Sequence, residues 1–470
     1  MKKAYLAVLV PVLLIITYWH PAGAATWHVN PGDSIQAAIN NASAGDTIFV
    51  HSSVYTEQIV INKSVKLIGD GAGTTVIQHA GGLVLVHVNT VNTTVELAGF
   101  TLRHTGTVDW SNSYALLVEN GAYASIHDNV VDDFKKRGIY VEGNNSSADI
   151  TGNTVIGEGP CPGVQNGIVI WGSGGGFANI IGNKVSHMYY TGGFWGSTGI
   201  MILDTFDKTV VVANNAVHDT QLGMGVGDYC GISHAGSYTL NVTIKDNRIT
   251  DNTGGIEVIN DARGTTIEYN SILRNTEYGI AVTDYVDYGW ACGQPTDTVI
   301  NYNDIIGNGI GLSVNSRVDL VDARYNCWGH WTGPGGGFTD PNTGQLAHGN
   351  GDTIDAAANN ALFDPWLPCR LPSQNEPQSG YGEQLCPLAR YNVQKAEEML
   401  ETVHKLFDQA FHLKVNLLAV EELIAEAEDL LEKATCFCKN SQNCVAGNTL
   451  ALEAQKLLRE AQEMLESMLS

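Results

Sequence analysis

The clearest pattern along most of the chain is a short alternation of apolar and polar residues. Segments such as "ANIIGNKV", "KTVVVANNAV" and "TTIEYNSI" are rich in Val, Ile and Thr, and their alternation predicts short β-strands. No helical periodicity lies between these segments, which argues against βαβ units and leucine-rich repeats. The pattern therefore predicts a repeat architecture built from strands alone.

One asparagine and one Gly-Ile pair mark each repeat. The repeats are 23 to 33 residues long, and their asparagines are Asn129, Asn153, Asn183, Asn215, Asn247, Asn270 and Asn303, with a last one at Asn326. The corresponding glycines are Gly138, Gly167, Gly199, Gly231, Gly255, Gly279 and Gly309. Such fixed marks indicate that equivalent residues of successive repeats lie above one another.

Strands that repeat without helices can coil upward, so that each strand pairs with its equivalent about 4.8 Å above it. Each asparagine then stacks on the next, and its amide satisfies backbone groups of a turn, while the glycine permits a bend. The prediction is a mainly β fold, a right-handed parallel β-helix over residues 25–368, stabilised by the stacking of neighbouring coils.

The pattern changes after a segment rich in Pro, Ser, Gln and Gly, residues 369–384, which indicates a linker. Residues 385–470 carry apolar stripes with helical spacing and predict a three-helix bundle, either an end cap or a domain for self-association or envelope docking. The stripes begin at Met399, Leu417 and Leu450. Three cysteines in the last connection, Cys436, Cys438 and Cys444, favour a local disulfide over zinc or a free thiol.

The N-terminus and the composition indicate an extracytoplasmic protein. Residues 1–24 combine two lysines, an apolar run and an Ala-Gly-Ala end, which predicts a signal peptide cleaved after Ala24, with a retained membrane anchor as the alternative. The nine cysteines suit an oxidising compartment. A net charge of -24 argues against nucleic acid and anionic membranes as partners. We therefore expect a secreted or cell-surface protein with no transmembrane segment after cleavage.

Two segments resemble the secreted and cell-surface parallel β-helix repeat proteins of the pectin-lyase-like fold. They are "SIQAAINNASAGDTIFVHSSVYTEQIVINKSVKLIGDGAGTTVI", Ser34 to Ile77, and "ARYNCWGHWTGPGGG", Ala323 to Gly337, followed by "FDPWL". The resemblance implies a short helix with Ile35, Ala38 and Ile39 capping the open core. It implies a fold and not an activity, because such proteins include lyases, hydrolases, epimerases, adhesins and structural proteins.

One column of residues, four positions after the repeat asparagines, is a candidate site. In four successive coils it contains His187, Asp219, Asp251 and Arg274. Two carboxylates on neighbouring coils suit acid–base catalysis, an arginine suits a uronate carboxylate, and the same carboxylates could hold Ca²⁺. The alternative is a plain turn, since Asp and Asn favour turns. We expect no other cofactor.

Longer repeats predict loops that form one lobe beside this column, within residues 155–166, 185–198 and 217–230. The middle loop holds four aromatic residues for stacking on sugars, or for a small core of the lobe itself: Tyr189, Tyr190, Phe194 and Trp195. A bridge between Cys161 and Cys230 would clamp the lobe. Cys292 in a further insertion would reach Cys327.

These observations favour a secreted or cell-surface protein with a structural or glycan-binding role in the envelope and without turnover. The alternative is a polysaccharide lyase, epimerase or hydrolase acting beside the inserted loops. The sequence argues against such an enzyme, because the motifs of pectate lyases and polygalacturonases are not intact in it. A third hypothesis rests on a resemblance to the periplasmic copper accessory protein of nitrous-oxide reductase maturation, but the scattered histidines support copper poorly.

Overall fold

The structure is a computed structural model that describes residues 24–81, 84–106, 113–143, 145–171, 176–192, 196–228, 238–285, 293–356, 358–367, 381–411, 417–439 and 444–469. Within these residues the chain builds three long sheets of parallel strands, followed by three helices. The predicted signal peptide falls almost entirely outside the described residues.

The three long sheets are called sheet A, sheet B and sheet C. Sheet A contains, in spatial order, Thr26–Val29, Thr47–Val50, Lys66–Gly69, Thr94–Ala98, Tyr123–His127, Ser147–Thr151, Phe177–Ile181, Val210–Ala213, Val242–Lys245, Thr266–Glu268, Val299–Asn301, Val321–Asp322 and Ala361–Leu362. Sheet B contains Ser53–Thr56, Thr75–His79, Thr101–His104, Val130–Asp132, Thr154–Cys161, Lys184–Tyr190, Ala216–His218, Arg248–Thr250, Ser271–Leu273 and Asp304–Ile306.

Sheet C contains Ile59–Ile61, Val84–Asn89, Tyr114–Glu119, Arg137–Glu142, Asn166–Trp171, Thr198–Leu203, Leu222–Gly227, Gly254–Ile259, Tyr278–Thr283, Ile310–Val314, Gly351–Ala356 and Pro334–Gly335. A small extra pair joins Thr239–Leu240 to Ala262–Arg263. Along the chain a strand of sheet A is followed by one of sheet B and then one of sheet C, so three strands make one coil. The predicted parallel β-helix is confirmed.

The interior of the coils is one continuous apolar core. Its side chains are the inward-pointing Val, Ile and Leu residues of all three sheets, such as Ile150, Ile180 and Val212, which are fully buried. Branched side chains suit this position because they are stiff at χ1 and pack well on a pleated surface. The helix α1, Ile35–Asn41, buries Ile35 and Ile39 at the first end of this core, as the resemblance implied.

The repeat asparagines form a buried hydrogen-bonded ladder at the turn from sheet A to sheet B. In each step the backbone N–H and the side-chain amide of one asparagine donate to Oδ1 of the next, as Asn183 does to Asn215 at 2.9 and 3.0 Å. The amide also donates to a carbonyl of the coil before, as Asn215 does to Ile180 at 2.8 Å. The ladder satisfies turn backbone groups that burial would otherwise leave unpaired.

Two of the repeat glycines are not the ones that the sequence predicted. The strand register places Leu222 opposite Thr198 and Ile310 opposite Tyr278, so the repeat glycines are Gly223 and Gly311 instead of Gly231 and Gly309. Their role also differs from the predicted bend.

The repeat glycines of sheet C are needed because the coils approach closely. A Cβ on Gly199 would lie 2.8 Å from the carbonyl oxygen of Gly223, and one on Gly223 would lie 2.6 Å from that of Gly255. None of these three glycines has a positive φ. Close backbone contact therefore selects glycine at this position.

Large aromatic side chains fill the other end of the core. Trp328 and Phe363 are fully buried there, and Phe338 packs on Phe363 at 5.7 Å between ring centroids. Asp340 fixes this end because its carboxylate accepts hydrogen bonds from four backbone N–H groups, two of them in Phe363 and Asp364. Burial disfavours its charge, but these hydrogen bonds prevail and lower the pKa of Asp340.

The C-terminal residues form three helices: α2, Tyr381–Phe411, α3, Leu418–Lys439, and α4, Cys444–Leu469. Their predicted apolar stripes pack into a second core, in which Val403, Val420 and Leu458 are fully buried. Helix α2 begins inside the segment predicted as a linker, most of which lies outside the described residues. The side chains of the three C-terminal cysteines are also outside the described part.

The helices pack against the β-helix at a ladder of tyrosines. Tyr269, Tyr302 and Tyr325 each precede a repeat asparagine, and their rings stack at centroid distances of 5.2 and 5.6 Å. The ammonium group of Lys395 in α2 lies 4.1 Å from the Tyr302 ring centroid. Burial lowers the pKa of Lys395 to about 8, and Arg459 adds to this effect.

These tyrosines occupy a left-handed backbone position with φ of 58°, 61° and 58°. Asp128, Asn214 and Asp246 hold the same position in earlier coils, where such residues are favoured. Bulky residues therefore replace the usual turn residues where the helices cover the turn.

Candidate functional site

The structure brings the four residues of the predicted column onto neighbouring coils. Asp219, Asp251 and Arg274 lie on the turn from sheet B to sheet C, whereas His187 lies inside the longer strand Lys184–Tyr190, at an interruption of its register. All four side chains are exposed. The φ angles are positive at each, 66° at His187, 53° at Asp219, 60° at Asp251 and 55° at Arg274. A left-handed position on every coil favours the plain-turn alternative.

The charged groups of this column are already paired. Arg274 donates to both carboxylate oxygens of Asp251 at 2.8 and 2.6 Å, and this hydrogen bonding lowers the pKa of Asp251. Asp219 lies 2.7 Å from the ring of His218, which in turn lies 6.2 Å from the ring of His187. A carboxylate with a lowered pKa is a poor proton donor at neutral pH. The catalytic role of the four residues stays a prediction.

The predicted lobe contains two of its three loops. Strands Thr154–Cys161 and Lys184–Tyr190 extend sheet B beyond its usual width and pair as far as Cys161 and Tyr190. Residues 222–227 do not form a third loop of the lobe, because Leu222–Gly227 belongs to sheet C. The error follows from the misplaced repeat glycine, since Gly223 is followed by Met and not by Ile.

Of the four aromatic residues predicted to bind sugar, two are described. Tyr189 is 39% exposed and Tyr190 is half-buried, so both remain available as predicted binding residues. Phe194 and Trp195 lie outside the described residues.

The predicted bridge between Cys161 and Cys230 is wrong. Cys161 is a free, buried thiol whose sulfur lies 3.2 Å from the Gly163 carbonyl and 3.4 Å from that of Tyr189. The extended strand places this thiol inside the lobe, where it packs on backbone. Cys327 is disulfide-bonded, whereas its predicted partner Cys292 lies outside the described residues.

Another group of polar and aromatic side chains, a second candidate site, lies on the outer face of sheet C, where the sequence predicted none. We call it the Arg137 cluster, comprising Tyr114, Arg137, Tyr140, Trp171, His87, Glu119 and Glu142. Arg137 is 6% exposed, and its guanidinium carbon lies 4.0 Å from the Tyr140 ring centroid. The Trp171 and Tyr114 rings are 4.8 and 5.2 Å away. A guanidinium among three rings gains cation–π attraction.

Strand register explains how these residues meet. Tyr114 is opposite Arg137 in the next coil, and Glu142 is opposite Trp171 in the coil after that. Tyr140 and Glu142 point outward because they alternate with core residues, and Tyr114 and Arg137 begin their strands, so residues of three strands meet on one face. The indole N–H of Trp171 donates to Asp204 at 2.7 Å, which fixes the orientation of the ring.

An acidic edge borders the aromatic part of the Arg137 cluster. Glu119 lies 2.6 Å from Nε2 of His87, and the two side chains are 24% and 20% exposed. Glu142 is half-buried on the neighbouring coil. Burial raises the pKa of Glu142, the charge of Glu119 raises it further, and Arg137 partly opposes both effects. The edge therefore joins two carboxyl groups with different surroundings.

A second acidic group lies further along the same face. Glu257 is partly exposed and accepts a hydrogen bond from the hydroxyl of Tyr285 at 2.6 Å. Burial raises its pKa, and hydrogen bonds from Tyr285 and Tyr278 oppose that effect. The outer face of sheet C therefore carries carboxyl and aromatic groups over several coils.

The sequence did contain a signal for this face. In "RGIYVE", residues 137–142, the positions that alternate with the buried Ile139 and Val141 include Tyr140 and Glu142, and Arg137 begins the strand. The column four positions after each repeat asparagine lies at the end of sheet B. The outward positions that follow each repeat glycine lie on a strand of sheet C. Among the described residues no group of three or more His, Cys, Asp and Glu side chains could hold a metal ion. Calcium binding stays a prediction.

Comparisons with known proteins concern the fold. A family profile described as "Right handed beta helix region" matches residues 166–327. No curated protein sequence matches the chain. Among solved structures, a GH136 lacto-N-biosidase from Eubacterium ramulus is similar at 12% identity and a TM-score of 0.44, covering 72% of this chain and 68% of that one.

Two further structures are similar. Pectin methylesterase PemA from Erwinia chrysanthemi is 13% identical with a TM-score of 0.36, covering 53% of this chain and 89% of its own. Pectate lyase Pel9A is 11% identical with a TM-score of 0.36, covering 73% and 80%. The activities named here are those of the similar proteins.

In the described part of the chain, no helix is both long and apolar enough to cross a membrane. The three sheets show that the chain folds as a parallel β-helix, and the profile of a right-handed β-helix region matches residues 166–327 of it.

Proposed function

We propose that this protein is an extracytoplasmic β-helix protein that binds a glycan on the outer face of sheet C, at the Arg137 cluster. The observation that carries the proposal is the meeting of partly exposed aromatic rings, Tyr114 and Trp171, with the partly exposed polar groups of His87, Glu119 and Glu142. Sites for small polar ligands combine such apolar surfaces with a few placed polar groups.

The chemistry of a sugar matches both parts of the cluster. An aromatic ring offers a flat apolar surface to the C–H face of a sugar ring. Carboxylates accept hydrogen bonds from sugar hydroxyls, and a histidine can donate or accept them. The Trp171 ring is held in place by Asp204, so little conformational entropy would be lost on binding.

The charges favour a neutral glycan over a uronic acid polymer. The partly exposed ionisable groups near the aromatic rings include the carboxyl groups of Glu119 and Glu142, whereas Arg137 is almost fully buried between rings. A uronate would meet like charges at this edge, and the chain as a whole has a net charge of -24. The predicted role of Arg274 as a uronate contact is not part of this proposal.

The test is binding of the purified mature protein to a panel of neutral and uronic acid polysaccharides, with and without Ca²⁺. Trp171→Ala should weaken binding of the retained glycan at least tenfold, because it removes the stacking surface. The matched control is Trp331→Ala, which removes a tryptophan that is 63% exposed outside the cluster. Unchanged binding by Trp171→Ala, together with a loss in Tyr189→Ala, would place the site in the lobe and refute the proposal.

The proposed location rests on the N-terminal sequence pattern described above. A mature secreted protein should begin at Ala25, which N-terminal sequencing of protein recovered outside the cytoplasm would show. An intact N-terminus in the membrane fraction would favour the retained anchor. Self-association through α2, α3 and α4 remains a separate proposal, which light scattering of the full mature chain would test.

A further inference from the structure

We infer that Glu119 and Glu142 form a hydrolytic carboxyl pair that cleaves a glycosidic bond of the bound glycan. Glu142 acts as the general acid and Glu119 as the nucleophile. This inference rests on the proposed function, since it requires a sugar on the outer face of sheet C. It replaces the expectation of binding without turnover, and it assigns catalysis to residues outside the predicted column.

The spacing of the two groups comes from the strand register. Leu117 and Val118 lie opposite Tyr140 and Val141, so Glu119 and Glu142 follow at equivalent places on adjacent coils. Adjacent strands lie about 4.8 Å apart. The carboxyl groups of retaining glycosidases are about 5 to 5.5 Å apart, whereas inverting enzymes need about 6.5 to 9.5 Å. The two side chains therefore start from backbones about 4.8 Å apart, which is nearer the separation for retention than the one for inversion, and we assign a double displacement.

The two carboxyl groups have different surroundings. His87 lies 2.6 Å from Glu119 and can donate a hydrogen bond that holds the Glu119 carboxylate in place. Glu142 is half-buried, and Arg137 is the cation that partly offsets its burial. The raised pKa of Glu142 increases the fraction that can donate a proton near neutral pH. Because the two carboxyl groups lie in different environments, we assign the general acid to Glu142 and the nucleophile to Glu119.

The reaction balances with water as the only co-reactant. In the first step Glu142 gives its proton to the glycosidic oxygen, the bond from the anomeric carbon to that oxygen breaks, and a Glu119 oxygen bonds to the anomeric carbon. In the second step water attacks the anomeric carbon, Glu142 takes a proton from this water, and the bond to Glu119 breaks. One water is consumed, and each fragment ends in a hydroxyl group.

The experiment uses the full mature protein and the polysaccharide that the binding panel retains. Released reducing ends are measured for the unchanged protein, Glu142→Gln and Glu119→Gln. We expect both variants to lower the rate at least a hundredfold, because one positioned acid or base contributes about 10²- to 10⁴-fold. The matched control is Glu96→Gln, since Glu96 also faces a histidine, His127 at 3.3 Å, but on sheet A. The control should keep the full rate.

Two further readouts separate catalysis from a structural role. Azide should restore chain cleavage to Glu119→Ala with a glycosyl azide as the product, because azide can occupy the space of the lost nucleophile and attack the anomeric carbon while the glycosidic oxygen leaves with a proton from Glu142. Aryl glycosides with a 4-nitrophenol leaving group should lose less rate in Glu142→Gln than the polysaccharide does, because nitrophenolate leaves without protonation. Neither effect is expected if the substitutions merely disturb folding.

The outcomes distinguish the two proposals. Binding with turnover that depends on Glu119 and Glu142 supports both. Binding at Trp171 without release of reducing ends overturns the hydrolytic pair and leaves the proposed function in place. Turnover that survives both glutamine substitutions also overturns the pair. If no polysaccharide binds, the proposed function fails, and the hydrolytic pair fails with it.

Discussion

Replacing Asn215 by alanine should destabilise the β-helix far more than an ordinary surface substitution. In the native ladder Asn215 donates to the Ile180 carbonyl at 2.8 Å and to Asn247 at 2.9 Å. Its own Oδ1 accepts from the backbone N–H and side-chain amide of Asn183 at 2.9 and 3.0 Å. Asn215 is 1% exposed, so water cannot replace these partners without a local opening of the turn.

The expected magnitude follows from the groups left unpaired. Alanine would orphan at least two buried backbone groups, the carbonyl of Ile180 and the N–H of Asn183. Each unsatisfied buried group costs about 1 to 3 kcal/mol, so the free energy of unfolding should fall by roughly 2 to 6 kcal/mol. Because coils are stabilised by their neighbours, the loss should affect the array and not one turn alone.

Urea unfolding followed by circular dichroism measures this effect. The matched control is Asn179→Ala, which removes an exposed asparagine on the outer face of sheet A that donates to Asp149 at 2.8 Å. Surface changes of this kind usually stay within about 0.5 kcal/mol. Equal stability of Asn215→Ala and Asn179→Ala would refute the reasoning that the ladder is needed for backbone pairing.

Three further predictions concern other parts of the fold. Gly223→Ala should destabilise the array more than Gly225→Ala in a urea titration, because the added Cβ would meet a backbone oxygen at 2.6 Å in the first case and a side-chain atom at 3.4 Å in the second. Burial lowers the pKa of His104 to about 4 from 6.5, so protonation of His104 opposes folding, and the free energy of unfolding should fall as the pH drops from about 6.5 to 4. His104→Gln should remove much of this pH dependence of stability, and an unchanged pH dependence would contradict the prediction. Lys395→Ala should speed proteolytic release of the helices, because it removes the contact with the tyrosine rings. Lys405→Ala removes only an exposed ion pair with Glu401 and should not change the rate of release. Equal rates of release for the two variants would argue against the tyrosine contact.

The fold was predictable because its signals are repeated and local. An asparagine at one position of each coil is visible in the sequence, and the structure shows that a buried ladder requires it. The glycine signal was less reliable. The structure requires a residue without a Cβ beside the carbonyl oxygen of the neighbouring coil. Gly223 meets this requirement, although the residue after it is Met and not Ile. A search for Gly-Ile therefore selected Gly231 and Gly309.

The Arg137 cluster was harder to predict because it depends on register between coils of unequal length. Tyr114 and Arg137 are 23 positions apart along the chain, yet they are direct neighbours across the sheet. The residues of the predicted column could be identified by counting along the sequence. Their left-handed backbone conformation and the pairing of their charges could not be predicted in this way. Whether Asp251 is free or held by Arg274 depends on side-chain contacts that periodicity does not specify.

The most direct test of the central claim is hydroxyl-radical footprinting of the mature protein with and without the retained glycan. A glycan on the outer face of sheet C should protect Trp171 and Tyr114 from oxidation, while the exposed Tyr189 and Trp331 stay as reactive as in the free protein. Protection of Tyr189 with no change at Trp171 and Tyr114 would contradict the account and place the glycan in the lobe.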